Sequence, residues 1–96
     1  MVYRLVIKIM EIIESERNLI KDNNLDSKEI NEYSEKLNDY YDMLSLVQYE
    51  LWNHNEDHAT KVIELLVGTD IMKFIHRCRS EIMEIIHNIE SIRVNS

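Results

Sequence analysis

Apolar residues recur at every third or fourth position along most of the chain, which is the spacing of one face of an α-helix. The longest regular series advances in steps of 3, 4, 3, 4, 3 and 4 residues and runs through Ile30, Tyr33, Leu37, Tyr40, Leu44, Val47 and Leu51. A second series, with steps of 4, 3, 4, 3, 4 and 3, runs through Ile71, Ile75, Cys78, Ile82, Ile85, Ile89 and Ile92. Both series predict long helices that pack along each other at a shallow angle.

Two further apolar segments complete the predicted architecture. The N-terminal segment has mostly helical spacing, and its alternating stretch from Tyr3 to Ile9 also fits a strand; helix is favoured because no other segment offers a strand partner. We predict one all-α domain over residues 1–96, a compact bundle of three long amphipathic helices and one short helix. The predicted helices cover residues 2–21, 27–53, 56–67 and 70–93. Whether the second and third helices are continuous stays open.

Local signals predict where the helices begin and end. Asp26 has the side chain of an N-cap for the second helix, and Glu29 follows three residues later, as in a capping box. Gly68 suits the left-handed position after the short helix. Thr69 or Asp70 can then cap the last helix.

Composition excludes several classes of protein. There is no proline and only one glycine, which argues against a β-sandwich or barrel and against a glycine-rich phosphate loop. The single cysteine, Cys78, cannot form an internal disulfide, and charged residues interrupt the apolar N-terminus. We therefore expect a cytoplasmic protein that does not enter a membrane, and the sequence indicates no cofactor.

The net charge of −7 is concentrated in one part of the chain. Residues 23–57 contain nine acidic and two basic residues, which accounts for the whole excess of negative charge. A negative field of this kind attracts a basic partner and disfavours direct binding of nucleic acid.

The second predicted helix carries the candidate binding residues. Its acidic side chains are spaced by 3, 4 and 3 residues on the side opposite the apolar series, at Glu32, Glu35, Asp39 and Asp42. Tyr41 and Tyr49 lie near this face, and tyrosine is a common anchor in protein interfaces. We interpret these six residues as the partner-binding surface of a small non-enzymatic adaptor or inhibitor.

Two other interpretations stay open. A metal-binding bundle would use His54 with His58, which are four residues apart, or the pair Glu84 and His87. Neither set has the further ligands that a di-iron bundle needs, so we expect no metal. Apolar residues outside the two series, such as Leu46, indicate that a homodimer or a larger assembly can complete the bundle.

A short segment of the second helix resembles a known enzyme family. Residues 34–38 read Ser34-Glu35-Lys36-Leu37-Asn38, similar to the Ser-Gln-Glu-Leu-Asp segment of the small sporulation aspartyl-phosphate phosphatases. Ser34 and Leu37 match, whereas Asn38 stands where the family has an acid. The resemblance covers residues 9–43 and implies a helical hairpin that acts on a phosphorylated response regulator, which makes a small enzyme the alternative to a binding protein.

Overall fold

The computed structural model describes residues 2–95. Their regular secondary structure consists of helices joined by short turns, and they contain no strand. The helices are α1 (Val2–Asp22), α2 (Lys28–Asn53), α3 (Glu56–Val67) and α4 (Ile71–Asn95). The predicted all-α fold is confirmed, and the N-terminal segment is helical despite its β-branched residues. The polar stretch after α2 is a break, so α2 and α3 are separate helices.

Helices α2 and α4 are the central elements, because each of them contacts all three other helices. Helix α1 packs against α2 and α4, and α3 packs against α2 and α4. Contacts of Tyr3 with Gln48 and of Glu14 with Tyr41 show that α1 and α2 run antiparallel. The molecule measures 47 × 21 × 19 Å, which fits a bundle whose three long helices are each about 30 to 40 Å long at 1.5 Å per residue.

The two apolar series form most of the core. From α2 the buried members are Ile30, Leu37, Leu44, Val47 and Leu51, and from α4 they are Ile71, Ile75, Cys78, Ile82, Ile85 and Ile89. Tyr33 and Tyr40 are partly buried and pack against this core. Helix α1 adds Val6, Ile9, Met10 and Ile13, and α3 adds Ala59 and Ile63. Burial of these faces is the main source of stability for helices that would be marginal alone.

The turn between α1 and α2 differs from its prediction in one residue. Ser27, and not Asp26, is the N-cap of α2, and its side chain accepts a hydrogen bond of 3.1 Å from the backbone N–H of Ile30. Asp26 instead accepts a hydrogen bond of 3.0 Å from the Asn31 side chain. Either residue type can cap a helix, and the apolar periodicity does not fix which of two neighbouring candidates does so.

Residues with a left-handed backbone conformation follow the C-terminal ends of α1 and α3. Asn24 has φ of 51°, and the N–H of the next residue, Leu25, donates to the carbonyl of Ile20, as in a Schellman motif. Gly68 has φ of 74° after α3, which confirms its predicted role. Asp70 then caps α4 by accepting from two backbone N–H groups of the first turn.

A contact between helices supports the start of α4. The Glu64 carboxylate on α3 accepts a hydrogen bond of 2.9 Å from the backbone N–H of Ile71. This bond satisfies an N–H that no helical carbonyl can reach, and it places negative charge at a helix N-terminus.

The Cys78 thiol is predicted to be unreactive in the folded protein. It is 3% exposed within the core, and burial raises its pKa, although nearby Arg77 opposes that shift. A thiolate is the reactive form, so at pH 8 we expect alkylation at least about 100-fold slower in native buffer than in urea. Rapid labelling of one thiol per chain without denaturant would contradict this burial.

Candidate functional site

Four carboxylates lie in a row on the outer side of α2. Glu32, Glu35, Asp39 and Asp42 are all exposed, two positions along the helix from successive members of the buried series. Within residues 2–95 none of their side-chain carboxylates forms a hydrogen bond or an ion pair. We call these four residues the acidic stripe. Its charges repel one another at helical spacing, so the stripe does not stabilise α2.

Exposed apolar residues continue the same line toward the C-terminal end of α2. Leu46 and Tyr49 occupy the next two positions of the 3, 4, 3, 4, 3 spacing and are 69% and 62% exposed. Trp52, one turn further along, is 73% exposed. We call these three residues the apolar end. The outer face of α2 is therefore charged along one half and apolar along the other.

Helix α1 supports the apolar end from the side. The ring of Tyr3 lies 5.6 Å from the Trp52 ring, centroid to centroid, at an interplanar angle of 31°. The side-chain amide of Gln48 donates a hydrogen bond of 3.4 Å to the Tyr3 hydroxyl. These contacts surround a shallow depression that Ser45 and Tyr49 also line. The indole is thus held against α1 while most of its surface faces solvent.

Tyr41 lies on a different side of α2 from Tyr49. Its hydroxyl donates a hydrogen bond to the carboxylate of Glu14 on α1, and the Arg17 guanidinium lies 5.2 Å from the centroid of its ring. The hydrogen bond to Glu14 is the main cause that raises the pKa of Tyr41. The structure therefore brings Tyr41 into the contact between α1 and α2, and its hydroxyl is already engaged there.

Negative charge extends from the acidic stripe onto α4. Asp39 shares a groove between α2 and α4 with Glu81 and Glu84, and among residues 2–95 Lys36 is the one cationic side chain that lines it. The Lys36 ammonium lies 5.7 Å from the centroid of the Tyr33 ring. Sequence reasoning did not place Glu81 and Glu84 beside the acidic stripe, because the spacing within one helix does not reveal which residues a neighbouring helix brings alongside.

The histidines do not converge on a metal position. Among residues 2–95 no group of three or more His, Cys, Asp or Glu side chains is placed to hold a metal ion. His54 and His58 meet edge to face, with ring centroids 5.9 Å apart, and Nε2 of His54 lies 3.5 Å from a Glu50 carboxylate oxygen. Glu84 and His87 are both exposed on α4.

The segment that resembles the phosphatase family lies within a continuous part of α2. Leu37 is fully buried in the core, Ser34 is half-buried, and Asn38 is exposed one turn beyond Ser34. Glu35 points outward as part of the acidic stripe. The face that holds Ser34 therefore presents an amide where the family has a carboxylate.

Within residues 2–95 no helix combines the length and apolar character needed to cross a bilayer. On the outer face of α2, exposed charge and exposed apolar area lie side by side. Comparison with protein-family models, with curated proteins and with solved structures finds no match to this chain.

Proposed function

We propose that this chain is a small non-enzymatic binding or regulatory protein that engages a basic partner protein through the outer face of α2. The observation that carries the proposal is the continuity of the acidic stripe with the apolar end. Four carboxylates without ion-pair partners are followed, on the same face of one helix, by three large exposed apolar side chains. We expect the encounter to take place in the cytoplasm.

The two halves of this face have different roles. Carboxylates without ion-pair partners attract a basic surface over several ångströms, which raises the rate of association and orients the partner. Tyr49 and Trp52 supply contact area, since aromatic side chains contribute most of the binding energy in many interfaces. Exposed charge alone gives little net affinity, so the apolar end is needed for a stable complex.

Neutralising part of the acidic stripe tests the electrostatic role. With Asp39→Asn and Asp42→Asn combined, we expect partner binding about tenfold weaker at low salt and a smaller difference at about 0.5 M salt, because screening removes the attraction in both proteins. The measurement is capture of the partner from a lysate of the source cell, eluted in steps of rising salt and quantified. The fold should gain a few tenths of a kcal/mol, because like charges are removed.

A control variant separates this local effect from a change in total charge. Glu11→Gln combined with Asp22→Asn removes two exposed negative charges from α1 and leaves the acidic stripe intact. We expect this pair to bind with nearly unchanged salt dependence. Equal weakening by both pairs would show that net charge, and not the outer face of α2, governs binding.

Self-association is the second candidate, favoured by exposed leucines on α3. Leu65 and Leu66 are 85% and 80% exposed, so α3 offers apolar area away from the acidic stripe. A symmetric dimer through the acidic stripe would bring like charges together, so a homodimer would use α3. Light scattering over a range of concentrations measures the oligomeric state. A dimer that the substitution Leu65→Ser dissociates supports this candidate, and a monomer at every concentration rejects it.

A further inference from the structure

A carboxyl group is buried where the pattern of α1 calls for an apolar residue. Glu16 is 7% exposed and continues the spacing of Val6, Ile9 and Ile13, with Ile20 as the next member. Within residues 2–95 its Oε2 atom is buried and accepts no hydrogen bond. An ionised carboxylate in this position would be costly, because burial removes the water that stabilises its charge.

The group opposite Glu16 is a second carboxyl, Glu90 of α4. Arg93 holds one oxygen of Glu90 with two hydrogen bonds, of 2.9 Å from Nε and 2.6 Å from Nη2. The other oxygen of Glu90 is buried and accepts no hydrogen bond from the described residues. Glu16 lies within hydrogen-bonding reach of Glu90. A proton on one carboxyl supplies the donor that this contact otherwise lacks.

The surroundings determine which carboxyl keeps the proton. Burial, followed by the hydrogen bond and the charge of Glu90, raises the pKa of Glu16 to about 7, although Arg93 opposes this shift. Hydrogen bonds from Arg93 and from Glu16 lower the pKa of Glu90. Glu16 is therefore the protonated donor and Glu90 the ionised acceptor over the range between the two pKa values.

We infer that a proton shared between Glu16 and Glu90 fastens the last turns of α4 to α1, and that its release as pH rises loosens this end of the bundle. When the proton leaves, two carboxylates face each other across the contact between the helices, and only one of them has the support of Arg93. The outer face of α2 is not part of this contact.

Apart from Arg93, no cationic group among the described residues acts on Glu16 to stabilise its ionised form. Among the described residues, the charged groups that act on Glu16 are Glu90 and Arg93, both on α4, and none is on α2 or α3. Lys8 and Glu11 of α1 line the same groove as Glu16, beside apolar side chains from α1 and α4. Neither is among the groups that shift its pKa.

The direction of the pH dependence follows from the two shifts. A pKa of Glu16 raised from 4.5 to about 7 gives stability that is complete below pH 4.5 and is lost as pH rises through 7. The lowered pKa of Glu90 acts in the opposite sense, with stability present above pH 4.5 and lost as pH falls further. Between pH 5 and pH 8 Glu16 dominates, so the fold should weaken as pH rises.

Replacement of Glu16 by glutamine tests the inference. From the raised pKa we expect the folding constant of the unmodified protein to fall about 50- to 100-fold from pH 5 to pH 8, measured by urea unfolding. Glutamine stays neutral and can donate to Glu90 at every pH, so Glu16→Gln should remove most of this fall and be the more stable protein at pH 8. Glu11→Gln, an exposed neighbour on α1, should keep the pH dependence of the unmodified protein.

Two site-specific measurements distinguish this contact from the titration of the four histidines. The carboxyl carbon of Glu16, followed by nuclear magnetic resonance, should titrate near pH 7, and amide exchange in the last turns of α4, corrected for its intrinsic pH dependence, should accelerate above that pH. Glu16→Gln should abolish the acceleration. Titration of Glu16 near pH 4.5, or a Glu16→Gln protein with an unchanged pH profile, would overturn the inference.

Discussion

Replacement of Leu44 by alanine should lower the free energy of unfolding by about 3 kcal/mol, within the 2–5 kcal/mol typical of fully buried leucines. Leu44 is fully buried on α2, which packs against all three other helices, so the cavity would open within the core of the bundle. A domain of this size has about 5–14 kcal/mol of stability in total. The loss should appear as a midpoint of thermal unfolding about 12–24 °C lower, measured by circular dichroism.

Leu46 provides a matched control two residues away on the same helix. The same substitution, Leu46→Ala, removes the same atoms from a side chain that is 69% exposed. We expect the free energy of unfolding to change by no more than about 0.5 kcal/mol. Equal losses for the two variants would show that the side of α2 that carries Leu44 does not face the core.

Trp52→Ala should weaken binding of the partner about 30-fold, a loss of about 2 kcal/mol that is typical of a hot-spot residue. Trp52 is the largest side chain of the apolar end and is already held in place by Tyr3, so little conformational entropy is lost when a partner covers it. Titration calorimetry with the purified partner measures the change. The loss should persist at high salt, because apolar contact is not screened.

Two comparisons separate binding from folding in this variant. Loss of the contact between Trp52 and Tyr3 should cost about 0.5–1.5 kcal/mol of stability, too little to unfold the protein. Leu65→Ala removes exposed apolar surface from α3, away from the proposed interface, and should leave the affinity unchanged. If Trp52→Ala binds as tightly as the unmodified protein, the partner does not cover the apolar end.

The sequence was sufficient to predict that the fold is all-helical, because each long helix must bury a continuous apolar face. Regular heptad spacing placed Leu37, Leu44, Ile75 and Ile89 on one side of their helices, and all four are fully buried. The same reasoning favoured helix over strand for α1, where local β-propensity pointed the other way. In that segment tertiary burial outweighs the preference of individual residues.

The details that sequence reasoning missed depend on contacts between helices. Glu16 continues the core spacing of α1, and a carboxyl at such a position was the available signal that a protonated pair is buried there. No pattern within α1 indicates that Glu90 is its neighbour. Tyr41 illustrates the same limit, because its position near the acidic residues along the chain does not reveal that Glu14 of α1 engages its hydroxyl.

The candidate site could be predicted in part for the same reason. The acidic stripe follows from spacing along one helix, which the sequence contains in full. The apolar end was less apparent, because Leu46 was interpreted as a residue for assembly and Trp52 lies outside the acidic spacing. Their common line with the acidic stripe becomes clear only when both are seen to be exposed.

The position of Trp52 also has a spectroscopic consequence, because it is the one tryptophan in the chain. Its indole is mostly surrounded by water in the folded protein, so its emission maximum should already lie at long wavelength and shift little on unfolding. A partner that covers the apolar end would exclude water from the indole and move the emission to shorter wavelength. Intrinsic fluorescence of this protein should therefore report occupancy of its surface and remain nearly insensitive to the state of its core.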